Sequence, residues 1–452
     1  MRIEAVDFFY LAMPEVTAAA DGSQDALLVR VAAGGHVGWG ECEAAPLPSI
    51  AAFVCPMSHG ACQPVAASVL GARLDSPADI AAIAARVARN SMDLLQAPHT
   101  LSGIETALWD LLGRRHGEPV WRLLGHRHSA PKRPYASLLF GDTPEETRAR
   151  CREARAQGFT AVKLGWGPIG TGSARADADQ FAAAREGIGG DGLLMVDAGQ
   201  VFGEDVAAAA ARLPALEAAG ALWLEEPFAA HAYEAYAALA AQSPVGLAGG
   251  EAAHNLAMAR HVVDYGRVRF LQIDTGRIGG IGPAHAAARH ADARGAVYVN
   301  HCFTTHLALS ASLQPYAGLS RHDICEYPAR PSALARAVPV APLPIADGAI
   351  RAPDAPGLGV EVNTAALAPY LQQVEIRIGA GRSIAPRRWT ERCPARPTCC
   401  SCSRTSTPAG SAAPMATRTG RRPISTRWPR AGSPSPMPAA PRRSARHRAC
   451  RC

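Results

Sequence analysis

The 452-residue chain contains no run of eighteen or more apolar residues, so it offers no candidate for a membrane-spanning helix. Its start, Met1 to Tyr10, lacks the basic-then-apolar order of a secretory signal. A soluble, cytoplasmic protein is expected. The last stretch is short of other things: from Gly381 onward there is no Lys and one acid, Glu391, against sixteen Arg. It also lacks any helical or alternating apolar period, and its only aromatics are Trp389 and Trp428.

These deficits divide the chain. The overall charge of +7 conceals a body that is net acidic by about eight charges, followed by a strongly basic tail. A segment of Arg, Pro, Ser, Ala and Cys cannot bury enough surface to offset its ordering entropy, so disorder is expected for 381–452. A basic tail could bind nucleic acid, but without Lys or interleaved aromatics nucleic acid is not expected as a partner. A shifted reading frame in a GC-rich gene accounts for such a composition. Half of the twelve cysteines (Cys393, Cys399, Cys400, Cys402, Cys450 and Cys452) lie there, and those in the body are expected to be reduced thiols.

With 48% hydrophobic residues the body can bury a large core, and two folded domains are expected. Residues 1–125 place strand-like runs (RIEAVDFF, ALLVRVAAG, HVGWGE) before helical ones (SPADIAAIAARVARN, SGIETALWDLLGRRHG), the order of a small α+β domain. Two irregular stretches, Met13 to Asp25 and Ala44 to Gln63, have the character of functional loops.

Over 126–378 short apolar runs alternate with amphipathic helices. The runs are YASLLF, FTAVKLG, GLLMVDA, LWLEEP, VGLAGGE, VRFLQID, AVYVNH and HDICEY. Between them lie helices such as TPEETRARCREARAQG, where Thr143 and Glu146 form a candidate capping box. Eight strands in βα alternation predict a parallel (β/α)8 barrel.

Most of these runs end in a residue able to bind metal or move a proton: Lys163, Asp197, Glu225, Glu251, Asp274, His301 and Glu326. From Asp197 onward they are 28, 26, 23, 27 and 25 residues apart, each about one strand, one helix and two loops. One charge after an apolar run is ordinarily a strand end meeting solvent. Seven in consecutive units converge on the C-terminal rim, where barrel active sites are built. Carboxylates gathered there repel unless a cation holds them, and Asp197, Glu225 and Glu251 offer only oxygen donors, which favours Mg2+ over zinc. Glu226 adjoins Glu225 and points the other way in a strand, towards a helix or a salt-bridge partner. Asp274 and His301 end successive strands, where a hydrogen bond would fix the imidazole tautomer and raise its basicity.

The motifs VKLG, MVDAGQ, WLEEPF, GGEAAHN, QIDTGRIGG, VNHCFTTHLALSASL and ICEYP resemble the successive barrel motifs of the mandelate racemase branch of the enolase superfamily. GWGECEAAPLPS and GIETALWDLLGRRHGEPVWRLLG resemble its N-terminal capping domain. The resemblance covers about 1–378. It implies Asp197, Glu225 and Glu251 as Mg2+ ligands, Asp274 with His301 as the general-base dyad, Glu326 as the acid that hydrogen-bonds the substrate carboxylate, and Lys163 as a contact to that carboxylate. It also implies two capping loops closing over the barrel, a segment returning to the cap, and assembly as a homo-oligomer, a dimer or an octamer. The superfamily pairs a Lys or His base with Mg2+ that stabilises an enediolate. A donor role for Glu326 requires a raised pKa.

One motif departs from the family. Two lysines separated by one residue end the second strand in racemases, the second being a base on the face opposite the histidine; here Lys163 is followed by Leu164, Gly165 and Trp166. Racemisation needs bases on two faces, so a one-sided site favours elimination. Dehydration of an acid sugar is the leading expectation, with cycloisomerisation, in which the leaving group is a ring oxygen, close beside it. Two alternatives stay open: a racemase or epimerase in which Lys163 swings past the small Gly165 to face His301, and a non-catalytic barrel whose tail binds nucleic acid. A polar substrate is suggested by His59 and Ser58 in a cap loop, by Trp166 after Gly165, and by Thr304, Thr305 and His306 at the rim, although loop or helix-cap duty would also account for such residues.

Overall fold

In the computed structural model the described residues are 1–19, 22–43, 45–376 and the backbone of 377–378 and 382–384. Three strands come first: β1 (Ile3–Ala12), β2 (Asp25–Ala33) and β3 (His36–Cys42), an antiparallel sheet in the order β1-β2-β3. The long helix Ala97–His116 lies against β3 so closely that a Cβ on Gly38 would stand 2.2 Å from Ala107 O and one on Gly40 2.2 Å from Gly103 O. Glycine at both places in HVGWGE is therefore a condition of this packing.

Ala44 to Gln63 is not irregular throughout, because residues Pro46–Val54 form a helix. Proline is tolerated in a first turn, where backbone N–H groups have no intrahelical partner, so Pro46 and Pro48 start the helix rather than forbid it. At the helix Pro144–Ala156, Thr143 caps as expected by accepting from Glu146 N at 3.3 Å. The Glu146 carboxylate bonds Asp142 N instead of closing the box on Thr143.

All eight apolar runs of the second region are strands: β4 (Arg133–Leu139), β5 (Ala161–Gly165), β6 (Leu193–Asp197), β7 (Ala221–Glu225), β8 (Gly246–Gly249), β9 (Phe270–Ile273), β10 (Val297–Asn300) and β11 (Ile324–Tyr327). They form one parallel sheet in the order β10-β9-β8-β7-β6-β5-β4-β11. Asn300 joins its two end strands: its amide donates to Glu326 O at 3.2 Å and accepts from Glu326 N at 2.9 Å. The result is a (β/α)8 barrel with an N-terminal α+β domain.

One residue from each strand fills the barrel's interior layer: Tyr135, Ala161, Met195, Trp223, Ala248, Phe270, Val299 and Ile324. Because side chains in a strand repeat every two residues, the next inward positions are Lys163, Asp197, Glu225, Gln272, His301 and Glu326. An apolar floor thus carries a layer of mostly ionisable groups one pleat above it.

The N-terminal domain is fastened to the barrel by polar contacts. Glu105 accepts from Ile281 N at 2.7 Å and Gly282 N at 2.9 Å, capping the barrel helix Ile281–Arg294, and from Trp109 Nε1 at 2.8 Å. After β11 the chain runs back to the first sheet, where Gln372 N donates to Tyr10 O at 2.8 Å. Among the described residues the six cysteines are free, and no helix is long and apolar enough to cross a membrane. Of the tail, Arg382–Ile384 pairs antiparallel with Ile376–Ile378. Residues 385–452, and with them the expectations of disorder, a shifted frame or nucleic-acid binding, lie outside the described residues.

Candidate active site

The C-terminal ends of β5, β6, β7 and β11 bring four of the expected side chains into contact. Lys163 Nζ donates to Glu225 Oε1 at 2.6 Å, stands 2.8 Å from Glu326 Oε1 and 3.8 Å from Asp197 Oδ2. It is 3% exposed, and Glu225 and Glu326 are fully buried. Burial alone would lower the lysine's pKa, but Glu225 and then Glu326 hold it well above the ordinary value. Lys163 is thus an ammonium. Glu326, which burial would push up, is lowered by Lys163 and His301. The raised pKa that a donor role would require of Glu326 is not present in this arrangement.

Asp197 and Glu225 are register partners on β6 and β7. Gly199 N pins Asp197 Oδ1 at 2.8 Å, and Trp223 Nε1 donates to Glu225 Oε2 at 3.0 Å. Burial pushes Asp197 up to about 7 and Glu225 to about 8 in spite of Lys163. The protein's own cations therefore do not fully sustain these charges.

On the other side of the barrel, His301 Nδ1 bonds Asp274 Oδ2 at 2.8 Å, the dyad expected from the strand order. Asp274 is itself held by Gly276 N at 2.6 Å. His301 Nε2 stands 3.1 Å from Glu251 Oε2, and the Phe303 ring packs edge-on with centroids 5.0 Å apart. Burial would lower the imidazole's pKa, but Glu251, Glu326 and Asp274 together raise it to about 10. Glu251 is driven well down, burial being outweighed by His301 and Arg277.

Three residues here, Arg277, Glu43 and Glu41, were not singled out in the sequence, and a fourth, Glu226, is placed differently from its expectation. Glu226 does not follow the alternation expected of it, because β7 ends at Glu225 and Glu226 has φ 37, a left-handed backbone. Its buried carboxylate accepts from Gln200 Nε2 at 2.7 Å and is close enough to Glu251 and His301 to feel both charges. Arg277, inside QIDTGRIGG, lies 3.2 Å from Glu251 Oε1 and also pairs with Glu43 from the N-terminal domain. Glu41, at the end of β3, accepts a hydrogen bond from the Thr305 hydroxyl. No local pattern marks these contacts, which join residues far apart in the chain.

The remaining loop residues separate. Thr304 and Thr305 are buried at the rim, and Thr305 also caps the helix His306–Leu313 by accepting from Leu307 N at 3.1 Å and Ala308 N at 3.3 Å. His306 is a structural acceptor, taking Leu343 N at 2.8 Å, and burial lowers its pKa to about 4. Trp166, with φ 59 and half exposed, lies over Gly199 beside Asp197. His59 and Ser58 are engaged within the cap loop: His59 pairs with Asp93 at 3.1 Å, and Ser58 N bonds Cys62 O.

Residues 9–125 match the mandelate racemase / muconate lactonizing enzyme N-terminal domain, and residues 146–366 the enolase C-terminal domain-like family. The D-galactarolactone cycloisomerase of Agrobacterium fabrum is 31% identical over 348 residues, 74% of this chain and 88% of that protein. The chain belongs to the mandelate racemase / muconate lactonizing enzyme family. A D-galactonate dehydratase of Variovorax paradoxus is 33% identical over 279 residues, covering 58% of this chain and 71% of its own. The crystal structure of a predicted mandelate racemase from Rhodobacter sphaeroides superposes with a TM-score of 0.81 at 69% identity, covering 84% of this chain and 97% of that one. As a family member the chain is an enzyme, a lyase or an isomerase.

Enolase-superfamily members generally use Mg2+. Among the described residues no three His, Cys, Asp or Glu side chains are gathered closely enough to hold an ion as they stand. In this arrangement Lys163 engages Asp197 and Glu225, while Arg277 and His301 engage Glu251. The donors nonetheless fit a hard divalent cation in chemistry. They are oxygen only, they come from consecutive strands, and two of them are raised by burial towards neutrality, which an added positive charge would reverse.

Proposed function

We propose that this enzyme removes the proton α to the carboxylate of an acid sugar and expels an oxygen from the β-carbon, as a dehydratase or a cycloisomerase, with Mg2+ held by Asp197, Glu225 and Glu251. The observation that carries the reading is a one-sided site. His301 is buried and oriented by Asp274 on β9 and β10, while the position of a second base, Gly165 on β5, cannot hold a side chain as the site stands. A Cβ there would lie 2.8 Å from Asp197 Oδ2 and 3.0 Å from Asp197 Cβ.

With Asp274 fixing Nδ1–H, His301 Nε2 is the atom that takes the α-proton, as a neutral imidazole. That state would require the Glu251 carboxylate, 3.1 Å from Nε2 and favouring the imidazolium, to be engaged by the metal instead. Bound to the three carboxylates, Mg2+ would supply divalent charge against which a second negative charge on the substrate carboxylate can develop. Lys163, locked as an ammonium between Glu225 and Glu326, contributes fixed positive charge at the acid end of the substrate and takes no proton itself. The imidazolium formed at His301 then protonates the departing β-oxygen as its C–O bond breaks. A hydroxyl leaves as water, whereas a ring oxygen stays attached and the ring opens. The relatives' activities, D-galactarolactone cycloisomerase and D-galactonate dehydratase, support both forms of this chemistry. A cytoplasmic homo-oligomer, built as a 1–125 cap on a 126–378 barrel, is part of the same proposal.

The test is turnover of acid sugars and their lactones in D2O with Mg2+. A 2-keto-3-deoxy acid, or a ring-opened isomer, is expected. Exchange at the α-carbon with every hydroxyl retained would instead establish racemisation and overturn the reading.

A further inference from the structure

The loop that follows β9, residues 274–282, carries Asp274, the partner of His301, at one end and is gripped along its length by the N-terminal domain. Glu43 N donates to Gly276 O at 3.2 Å, Gly279 N donates to Ser102 Oγ at 2.8 Å, and Glu105 accepts from the N–H groups of Ile281 and Gly282. Contact at the Glu43 end is close, since a Cβ on Gly276 would lie 2.7 Å from both Glu43 N and Glu43 Cβ. The backbone of Glu43 is thereby fixed against the loop.

From the same loop Arg277 bridges carboxylates of the two domains. Its Nε donates to Glu43 Oε2, and its Nη1 lies 3.2 Å from Glu251 Oε1 and 3.5 Å from Glu251 O. A guanidinium is a rigid planar fork, so fixing Nε on one carboxylate determines where Nη1 stands for the other. The side chain of Glu43 is 7% exposed and those of Arg277 and Glu251 are 16% exposed, so solvent screens these pairs little. The consequence falls on Glu251. Its Oε1 is engaged by Arg277, and Oε2, 3.1 Å from His301 Nε2, is the oxygen left to pass to an ion. A ligating carboxylate keeps its place through the groups that hydrogen-bond it, and disturbing such groups typically costs about 10–100-fold in metal affinity.

We propose that Arg277 is a positioning residue, aligned by Glu43 of the N-terminal domain, that sets Glu251 for the divalent ion, so that the ion site is complete only with the N-terminal domain seated on the barrel. This rests on the reading of Glu251 as a Mg2+ ligand and adds what holds that ligand in place. Arg277 acts through Glu251 and moves no proton itself.

The experiment is calorimetric titration of Mg2+ into the metal-free full-length protein as wild type, Arg277→Lys, Glu43→Gln, the double variant and Ser102→Ala. Arg277→Lys keeps the positive charge and loses the fork, so it separates alignment from charge. It also avoids leaving two largely buried acids unpaired, which would endanger the fold. Arg277→Lys and Glu43→Gln are each expected to weaken Mg2+ binding by about tenfold, and the double variant by much less than the product, because both break one alignment. Ser102→Ala loosens the same seam without touching Arg277 and should bind Mg2+ within about twofold of wild type. Wild-type affinity in Arg277→Lys would overturn the proposal. So would fully multiplicative losses in the double variant, or an equal loss in Ser102→Ala, which would assign the effect to general loosening of the seam. α-Proton exchange from an acid sugar in D2O is followed on the same samples at saturating Mg2+. The expected losses of affinity without exchange in wild type would defeat the acid-sugar reaction and leave the role of Arg277 standing. Exchange with unchanged affinities would do the reverse, and a wild type that binds no Mg2+ would overturn both.

Discussion

Gly165→Ala tests the one-sided site with a single methyl group. The new Cβ would stand 2.8 Å from Asp197 Oδ2, 3.0 Å from its Cβ and 3.1 Å from its Cγ, whereas ordinary contacts begin at 3.4 Å. The aspartate must therefore move by about half an ångström. It cannot simply rotate away, because Gly199 N holds Oδ1 at 2.8 Å and the carboxyl sits within a buried cluster of like charges. Disturbing the groups that orient a metal ligand typically costs about 10–100-fold in metal affinity, and a loss of at least that order is expected here. A reacting geometry wrong by a fraction of an ångström to an ångström costs a further factor of up to about 10² in turnover. Overpacking at a single methyl is expected to cost about 1–3 kcal/mol of stability, so the variant should stay folded. The assay is calorimetric titration of Mg2+ into the metal-free variant, with kcat/KM for keto-acid formation measured beside it. Mg2+ affinity within twofold of wild type, with unchanged turnover, would show that Asp197 is not where the argument needs it.

Other expectations follow from the same contacts. His301→Asn should lower α-proton exchange in D2O by about 10²–10⁴, and retention of exchange would assign the base elsewhere. Glu105→Ala removes the acceptor of Ile281 N, Gly282 N and Trp109 Nε1 and should cost about 2–4 kcal/mol in urea unfolding. Burial raises the Glu105 carboxyl from its ordinary 4.5 to about 7, so its contribution to stability is full below about 4.5 and is lost as pH rises through about 7. The variant should therefore show a shallower fall in stability over that window, and an unchanged slope would place the titration in another group. Mg2+ at about a hundred times its Kd should stabilise the fold by about 2.7 kcal/mol, reversibly on chelation, and a thermal midpoint indifferent to both would argue against the ion site.

The barrel was legible because seven of its eight strands announce themselves twice, by a short apolar run and by the ionisable residue that ends it. Period-two geometry then places Asp197, Glu225, His301 and Glu326 two residues beyond the buried Met195, Trp223, Val299 and Ile324. The Asp274–His301 bond followed from adjacent strands alone. What was hidden depends on contacts that no spacing encodes. Arg277 meets Glu43, 234 residues earlier in the chain, and Thr305 meets Glu41, 264 residues away. The orientation expected of Glu226 does not apply because alternation holds only within a strand, and β7 ends one residue before it. A loop setting marks His59 as a candidate substrate contact but does not show that its ring meets Asp93 at 3.1 Å and Ala61 N at 3.3 Å within the cap. The protonation expected of Glu326 presupposed a site without Lys163 against it, and the ion pair at 2.8 Å reverses that balance.

The central claim is that three carboxylates from consecutive strands share one divalent ion across from His301. Crystals grown with Mn2+ in place of Mg2+ and measured for anomalous scattering test it most directly. The account predicts a single strong peak about 2.1 Å from oxygens of Asp197, Glu225 and Glu251. A peak held by other residues, or none at saturating metal while Lys163 stays paired with Glu225, would contradict it.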